Sequence, residues 1–195
     1  AGGGNDVLFG DGGNDTIHAG SGDDLISATI DDGNDAYDGG GAIDTLDFSR
    51  ISADILADLK AGTATSAQTG TDTLRNIENI VGGSGNDQLT GSGGDNTLWG
   101  GQGDDILRGW GGHDILWGGE GNDILEGMGG HDTFVATFGD GDDTFNGGIG
   151  FDTLDLSRIS ADVNADLRAG TITSAHTGTD IVVSVENIIG GSGND

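Results

Sequence analysis

A nine-residue period limits what this chain can fold into. From Gly82 to Asn146 it reads GGSGNDQLT, GSGGDNTLW, GGQGDDILR, GWGGHDILW, GGEGNDILE, GMGGHDTFV and, after Ala136 and Thr137, FGDGDDTFN. Glycine holds position four in every copy and position one in all but the last. Position six is acidic at Asp87, Asp105, Asp114, Asp123, Asp132 and Asp143, with Asn96 the one exception. Position eight is large and apolar: Leu89, Leu98, Leu107, Leu116, Leu125, Phe134 and Phe145. Glycines in strict period are the mark of a repeat architecture rather than of a flexible linker.

The same unit fills residues 1–47. Its sixth positions are Asp6, Asp15, Asp24, Asp35 and Asp44, and its eighth are Leu8, Ile17, Ile26, Tyr37 and Leu46. Ala28 and Thr29 are inserted before the fourth copy. Residues 48–81 form a spacer without the nonapeptide, residues 82–155 a second block that ends with Asp152 at its last sixth position, residues 156–189 a second spacer, and residues 190–195 the start of a further block. In the first spacer ISADILADL alternates apolar and polar, which suggests a strand. A turn at Ala61-Gly62 would start a hairpin-like return through Thr63–Ser66. A short amphipathic helix over Ser52–Lys60 is the competing reading. Residues 28–87 match residues 136–195 without gaps, at about two thirds identity. The chain is therefore a slice of a duplicated array. It carries no capping sequence at either end, so the natural protein is expected to be longer.

Side chains alternate along a strand, so a large residue at eight points in while seven and nine point out. Two repeats make an eighteen-residue coil with strands in two opposed sheets. Stacked coils then share a narrow apolar core, at about 4.8 Å per strand. The turns stack into two rails. One carries Asp87, Asp105, Asp123 and Asp143; the other carries Asn96, Asp114, Asp132 and Asp152. Stacked carboxylates repel strongly unless a cation lies between them. Calcium suits such loops, because it takes six to eight oxygens in flexible geometry and accepts backbone carbonyls. Zinc would want His or Cys.

Composition agrees. The chain has 42 glycines, no proline, no cysteine and a net charge of −28 from 34 acids and 6 bases. Nucleic acid needs a basic footprint and is excluded as a partner. No stretch is apolar over the length of a membrane span. Acidic, weakly hydrophobic segments are disordered alone, so ion binding and folding are expected to be one event.

GGQGDDILR and GGEGNDILE resemble the GGxGxDxUx nonapeptide of the repeats-in-toxin (RTX) family, the hemolysin-type calcium-binding repeats. More than a dozen in-phase copies carry the likeness. The resemblance implies an all-β fold, a right-handed parallel β-roll or β-solenoid. It implies calcium held by the sixth-position residues Asp6, Asp15, Asp24, Asp35, Asp44, Asp87, Asn96, Asp105, Asp114, Asp123, Asp132, Asp143 and Asp152. Carbonyls of loop glycines, among them Gly83, Gly85, Gly101, Gly103, Gly119 and Gly121, would complete the shells. Pairing sixth positions two repeats apart gives roughly nine ions. The resemblance further implies type I export from a Gram-negative bacterium and folding outside the cell. Ala1, Asp11, Ala19, Ile30, Asp31 and Ala42 replace expected glycines, which predicts weaker sites in the first block.

Other residues are read against that frame. His113 and His131 share position five one coil apart, either as a transition-metal pair or as plain surface loop residues. His18 and His176 have no evident partner. Trp99 and Trp117 share position nine and, with Thr97, Ile115, Thr133 and Val135, predict an outward apolar strip, a candidate partner surface. No nucleophile elbow or zinc-protease motif is present, and the period of the acids assigns them to ions rather than to a catalytic dyad. The leading expectation is a calcium-binding structural module that is not itself an enzyme. An accessory module of an extracellular polysaccharide-modifying enzyme, hydrolase or protease is a second. A repeat unit of a surface layer, adhesin or filament is a third. Calcium, polysaccharide and other copies of the chain are the candidate partners.

Overall fold

The computed structural model describes all 195 residues and contains strands and turns but no helix. The last three residues of each nonapeptide are extended, as their alternation requires. Successive repeats alternate between a twelve-stranded and a nine-stranded sheet. Within the second block each strand pairs in parallel with the one eighteen residues on: Leu89 with Leu107, Leu107 with Leu125, Leu98 with Leu116. The architecture is thus a parallel β-solenoid. Leu89, Leu98, Leu107, Leu116 and Leu125 are fully buried and form the spine of a 29-residue apolar cluster.

Two insertions change the count without moving the core. Pairs that span Ala28-Thr29 or Ala136-Thr137 are offset by twenty residues, as in Ile17 with Tyr37 and Leu125 with Phe145. Ala28 and Ala136 are buried, so the extra residues are taken up in the turn.

The spacers continue the solenoid. Strand Ile55–Asp58 is followed by the reversed Thr63–Ser66 and then by Gly70–Arg75, an antiparallel meander. Its outer strands pair in parallel with Gln88–Thr90 on one side and Ala36–Gly41 on the other. Residues 52–60 are therefore strand and turn rather than helix. The turn at Ala61-Gly62 is closed by the Gly62 N–H on the Asp58 carbonyl (2.8 Å) and the Ala61 N–H on Asp58 Oδ1 (2.8 Å). Gly62 sits at φ 73°, where a side chain would be strained. The second spacer repeats this meander over Val163–Asp166, Thr171–Ser174 and Gly178–Val183. The opposite sheet passes straight from Thr45–Asp47 to Asn79–Val81. Each spacer thus gives three strands to one sheet and one to the other, an excess of two strands or about 10 Å of extra stack. Phe48, Ile51 and Ile55, all buried, pack the core at this wedge.

Candidate metal centre

The turns between strands stack as two rails. Along each, a sixth-position N–H donates to Oδ1 of the acid one coil further on. On one rail the donors and acceptors run Asp87 to Asp105 (2.7 Å), Asp105 to Asp123 (2.8 Å) and Asp123 to Asp143 (2.8 Å). On the other they run Asn96 to Asp114 (2.8 Å), Asp114 to Asp132 (2.9 Å) and Asp132 to Asp152 (2.8 Å). In the first block Asp6 donates to Asp24, Asp24 to Asp44, and Asp15 to Asp35. The stacking that buries the leucines therefore also buries the carboxylates: Asp105, Asp114, Asp123 and Asp132 are each 1% exposed.

Most of these acids have one oxygen satisfied and one left over. Oδ2 of Asp15, Asp24, Asp44, Asp105, Asp114, Asp123, Asp132 and Asp152 is buried without any hydrogen-bond partner. Orphaned buried carboxylate oxygens are costly, and native proteins rarely leave them so. Burial pushes Asp105 up to about 8, with the charges of Asp123 and Asp87 adding to it. Burial likewise raises Asp114 to about 7, Asp123 to about 6 and Asp143 to about 9. The orphaned oxygen faces the first glycine of its own repeat. A Cβ on Gly100 would overlap Asp105 Oδ2, and one on Gly118 would overlap Asp123 Oδ2. Only glycine leaves that approach open.

This donor set fits calcium. Nowhere do three His, Cys, Asp or Glu side chains converge to hold an ion by themselves, so carbonyls must supply much of the shell, which calcium accepts and zinc does not. The predicted loop glycines stack in columns. The carbonyl of Gly83 points at Gly101 and that of Gly101 at Gly119; Gly85, Gly103 and Gly121 form a second such column. A bound cation would neutralise the buried Oδ2 oxygens of two successive coils.

The sites are not equivalent. Asp87 is fully satisfied, because Gly83 N–H occupies its Oδ2 and Ile55 N–H its Oδ1 (both 2.8 Å). Asn96 Oδ1 takes the Ser92 N–H (2.6 Å), while its Nδ2 donates to the Glu78 carbonyl (2.7 Å). Asp35 Oδ2 takes the Tyr37 hydroxyl (2.7 Å). Asp6 and Asp15 are only half-buried at the open end. Three replaced glycines keep left-handed angles, Asp11 at φ 60°, Asp31 at φ 62° and Ala42 at φ 91°. Such strain costs of order 1–3 kcal/mol per residue. Acids outside the nonapeptide also extend the rails. Asp35 N–H donates to Asp72, Asp44 to Glu78, Asp143 to Asp180 and Asp152 to Glu186. Sequence reading missed them because they sit in spacers, though GTD at Gly70 and Gly178 is a trace of the repeat.

Asp123→Asn tests one link of the rail. The amide oxygen still accepts the Asp105 N–H, but its NH2 then points where a cation would bind. The expected result is one or two fewer ions per chain and a calcium midpoint raised about tenfold, about 1.4 kcal/mol. Equilibrium dialysis measures both; an unchanged ion count removes Asp123 from the ligand set.

The remaining candidates separate. His113 and His131 stack at 5.0 Å with rings 3° apart. Their Nδ1 atoms accept the N–H of His131 (3.0 Å) and of Phe151 (2.9 Å), so both act as turn linkers. His18 lies 3.5 Å from Asp38, and His176 accepts the Ala161 N–H (3.3 Å) and packs edge-on against Phe138, so each has a partner. Trp99 and Trp117 lie 5.2 Å apart, with the Arg158 guanidinium 4.4 Å over Trp117. With Phe138, Gln102 and Glu120 they line a cleft of about 310 Å³. Val135 keeps strand register opposite Asp155 but is buried, so it does not join the exposed strip.

The sequence matches the model of the RTX calcium-binding nonapeptide repeat over residues 1–29, 81–116 and 117–154. No protein of curated function matches it. Among solved structures it is similar to the extracellular lipase LipA from Serratia marcescens, at 21% identity and a TM-score of 0.38. That match covers 93% of this chain and 37% of the lipase chain. With the repeat model covering more than half of its residues, and the carboxylate rails in place, the chain belongs to the RTX calcium-binding nonapeptide repeat family.

Proposed function

We propose that this chain is a calcium-folded structural module of a larger protein exported from a Gram-negative bacterium. Calcium, scarce inside the cell and plentiful outside, would order it after export. The rows of buried, unpartnered Asp Oδ2 atoms carry the reading, since a fold that leaves them bare opposes itself. The ligands are the sixth-position acids together with carbonyls of glycines such as Gly83, Gly85, Gly101, Gly103, Gly119 and Gly121. Roughly nine ions per chain follow from pairing sixth positions. Asp87 and Asn96, whose oxygens already have donors, bind more weakly than Asp105 to Asp152. The module stabilises or attaches its parent and performs no chemistry of its own. Isothermal titration tests this: calcium should bind at several sites per chain, and magnesium at the same concentration should not. Equal binding of the two ions overturns the reading.

One observation favours an accessory role in carbohydrate recognition. The cleft formed by Trp99, Trp117, Phe138 and Arg158 offers aromatic faces with polar groups at the rim, the usual make-up of a small-ligand site. Self-assembly through the 108-residue period remains a third reading, and has no comparable surface feature to support it.

A further inference from the structure

The two-residue insertions change what position three does. In ordinary repeats it is a surface residue, as at Ser84, Gln102 and Glu120. After the insertions it is Asp32 and Asp140, only 1% and 2% exposed. The inserted residues curl over the carboxyl: Thr29 N–H donates to Asp32 Oδ2 (2.8 Å) and Thr137 N–H to Asp140 Oδ2 (2.6 Å). The other oxygen, Oδ1, is buried without a partner in both.

The next coil at these points is supplied by a spacer, in a register of 37 residues. Asp143 N–H donates to Asp180 Oδ1 (3.1 Å) and Thr179 N–H to Asp142 Oδ1 (2.7 Å). The same register sets Thr177 against Asp140, and in the first unit Thr69 against Asp32. Both threonines are buried, and neither hydroxyl has a hydrogen-bond partner. Burial raises the acid three residues on, Asp180 to about 6 and Asp72 to about 7; the nearby Thr177 and Thr69 hydroxyls, outside hydrogen-bond geometry, offset only a small part of that rise. Both acids also have a bare Oδ2. Each junction thus collects three unpartnered oxygens from three residues, one of them a neutral hydroxyl. A buried hydroxyl rotates freely to find a partner. One left bare beside two bare carboxylates marks a place for a hard cation.

We infer that each junction is a further calcium site, held by Asp140, Thr177 and Asp180 beside Asp143 in one unit and by Asp32, Thr69 and Asp72 in the other. The inference rests on the calcium reading of the rails but uses side chains outside the nonapeptide pattern. Carboxylates alone do not converge here, so the threonine oxygen and backbone carbonyls complete the shell. The two sites differ in strength. In the first, the Tyr37 hydroxyl donates to Asp35 Oδ2 and offsets part of its charge; Phe145 stands in that place in the second. The second site is therefore the tighter one.

Crystals of the calcium-loaded chain, exchanged into terbium, give a direct test through anomalous difference maps. A peak bounded by Asp140, Thr177 and Asp180 is expected in addition to the rail peaks. In solution, Asp140→Asn and the isosteric Thr177→Val should each bind one ion fewer per chain than the wild type, while keeping the rail ions and β signal. Peaks confined to the rails, with wild-type ion counts in both variants, overturn the inference and leave the rail reading intact. A wild-type chain that takes up no calcium overturns both.

Discussion

Removing calcium is expected to abolish the β-solenoid rather than loosen it. On the rail from Asp87 through Asp105, Asp123 and Asp143 to Asp180, successive carboxylates stand one strand apart. At about 4.8 Å and an effective dielectric of about 20, each adjacent pair repels by about 3–4 kcal/mol. Four pairs on this rail alone sum to about 14 kcal/mol, comparable with the whole 5–15 kcal/mol that holds an ordinary domain together. The core offers little to oppose this, since each short strand contributes one inward side chain. There is no disulfide to hold the coils. With a net charge of −28 the unfolded chain also expands. Excess EGTA should therefore erase the β signal in far-ultraviolet circular dichroism. It should also drive the radius of gyration from about 16 Å toward about 47 Å, and calcium should restore both. A radius that stays near the compact value in EGTA would show that the rails need no ion.

The nonapeptide made most of this legible in advance. Its period of nine set the strand length, the two sheets and the offset of eighteen, because one inward residue per repeat leaves no other way to build a core. It also placed the sixth-position acids in rails. Features that depend on more than one coil stayed hidden. Asp32 and Asp140 occupy an ordinarily exposed position, and only the curl of the inserted threonine N–H over the carboxyl buries them. Asp72, Asp180, Glu78 and Glu186 join the rails through pairings 34 to 37 residues long, set by the spacer meander. Asn96 looked like a ligand with one charge fewer. In the fold its Oδ1 accepts the Ser92 N–H and its Nδ2 donates to the Glu78 carbonyl, and a sequence does not state which way an amide points. Val135 keeps the position-nine register opposite Asp155 yet is buried, and a nine-residue pattern does not say what covers an outward side chain.

Acid should partly replace calcium. Burial raises the carboxyls of Asp105, Asp114, Asp140 and Asp143 to about 8, 7, 7 and 9, against an ordinary value near 4 in the unfolded chain. The ion-free folded form therefore binds more protons than the unfolded form between pH 4 and 9, and its stability falls as pH rises through that window. Below pH 4 both forms are protonated and the penalty vanishes. In EGTA, a chain that is disordered at pH 8 should gain β signal by pH 5, where it still carries negative charge above its pI of about 4.1. With calcium present the dependence reverses, because protons and calcium compete for the same Oδ2 oxygens. The calcium midpoint should then rise steadily from pH 8 to pH 5. These opposite slopes distinguish ligand carboxylates from a general relief of charge. Simple discharge of the surface would aid folding in acid with or without calcium, and would leave the calcium midpoint flat or falling. A midpoint that fails to rise in acid would mean that the buried acids are not where calcium binds.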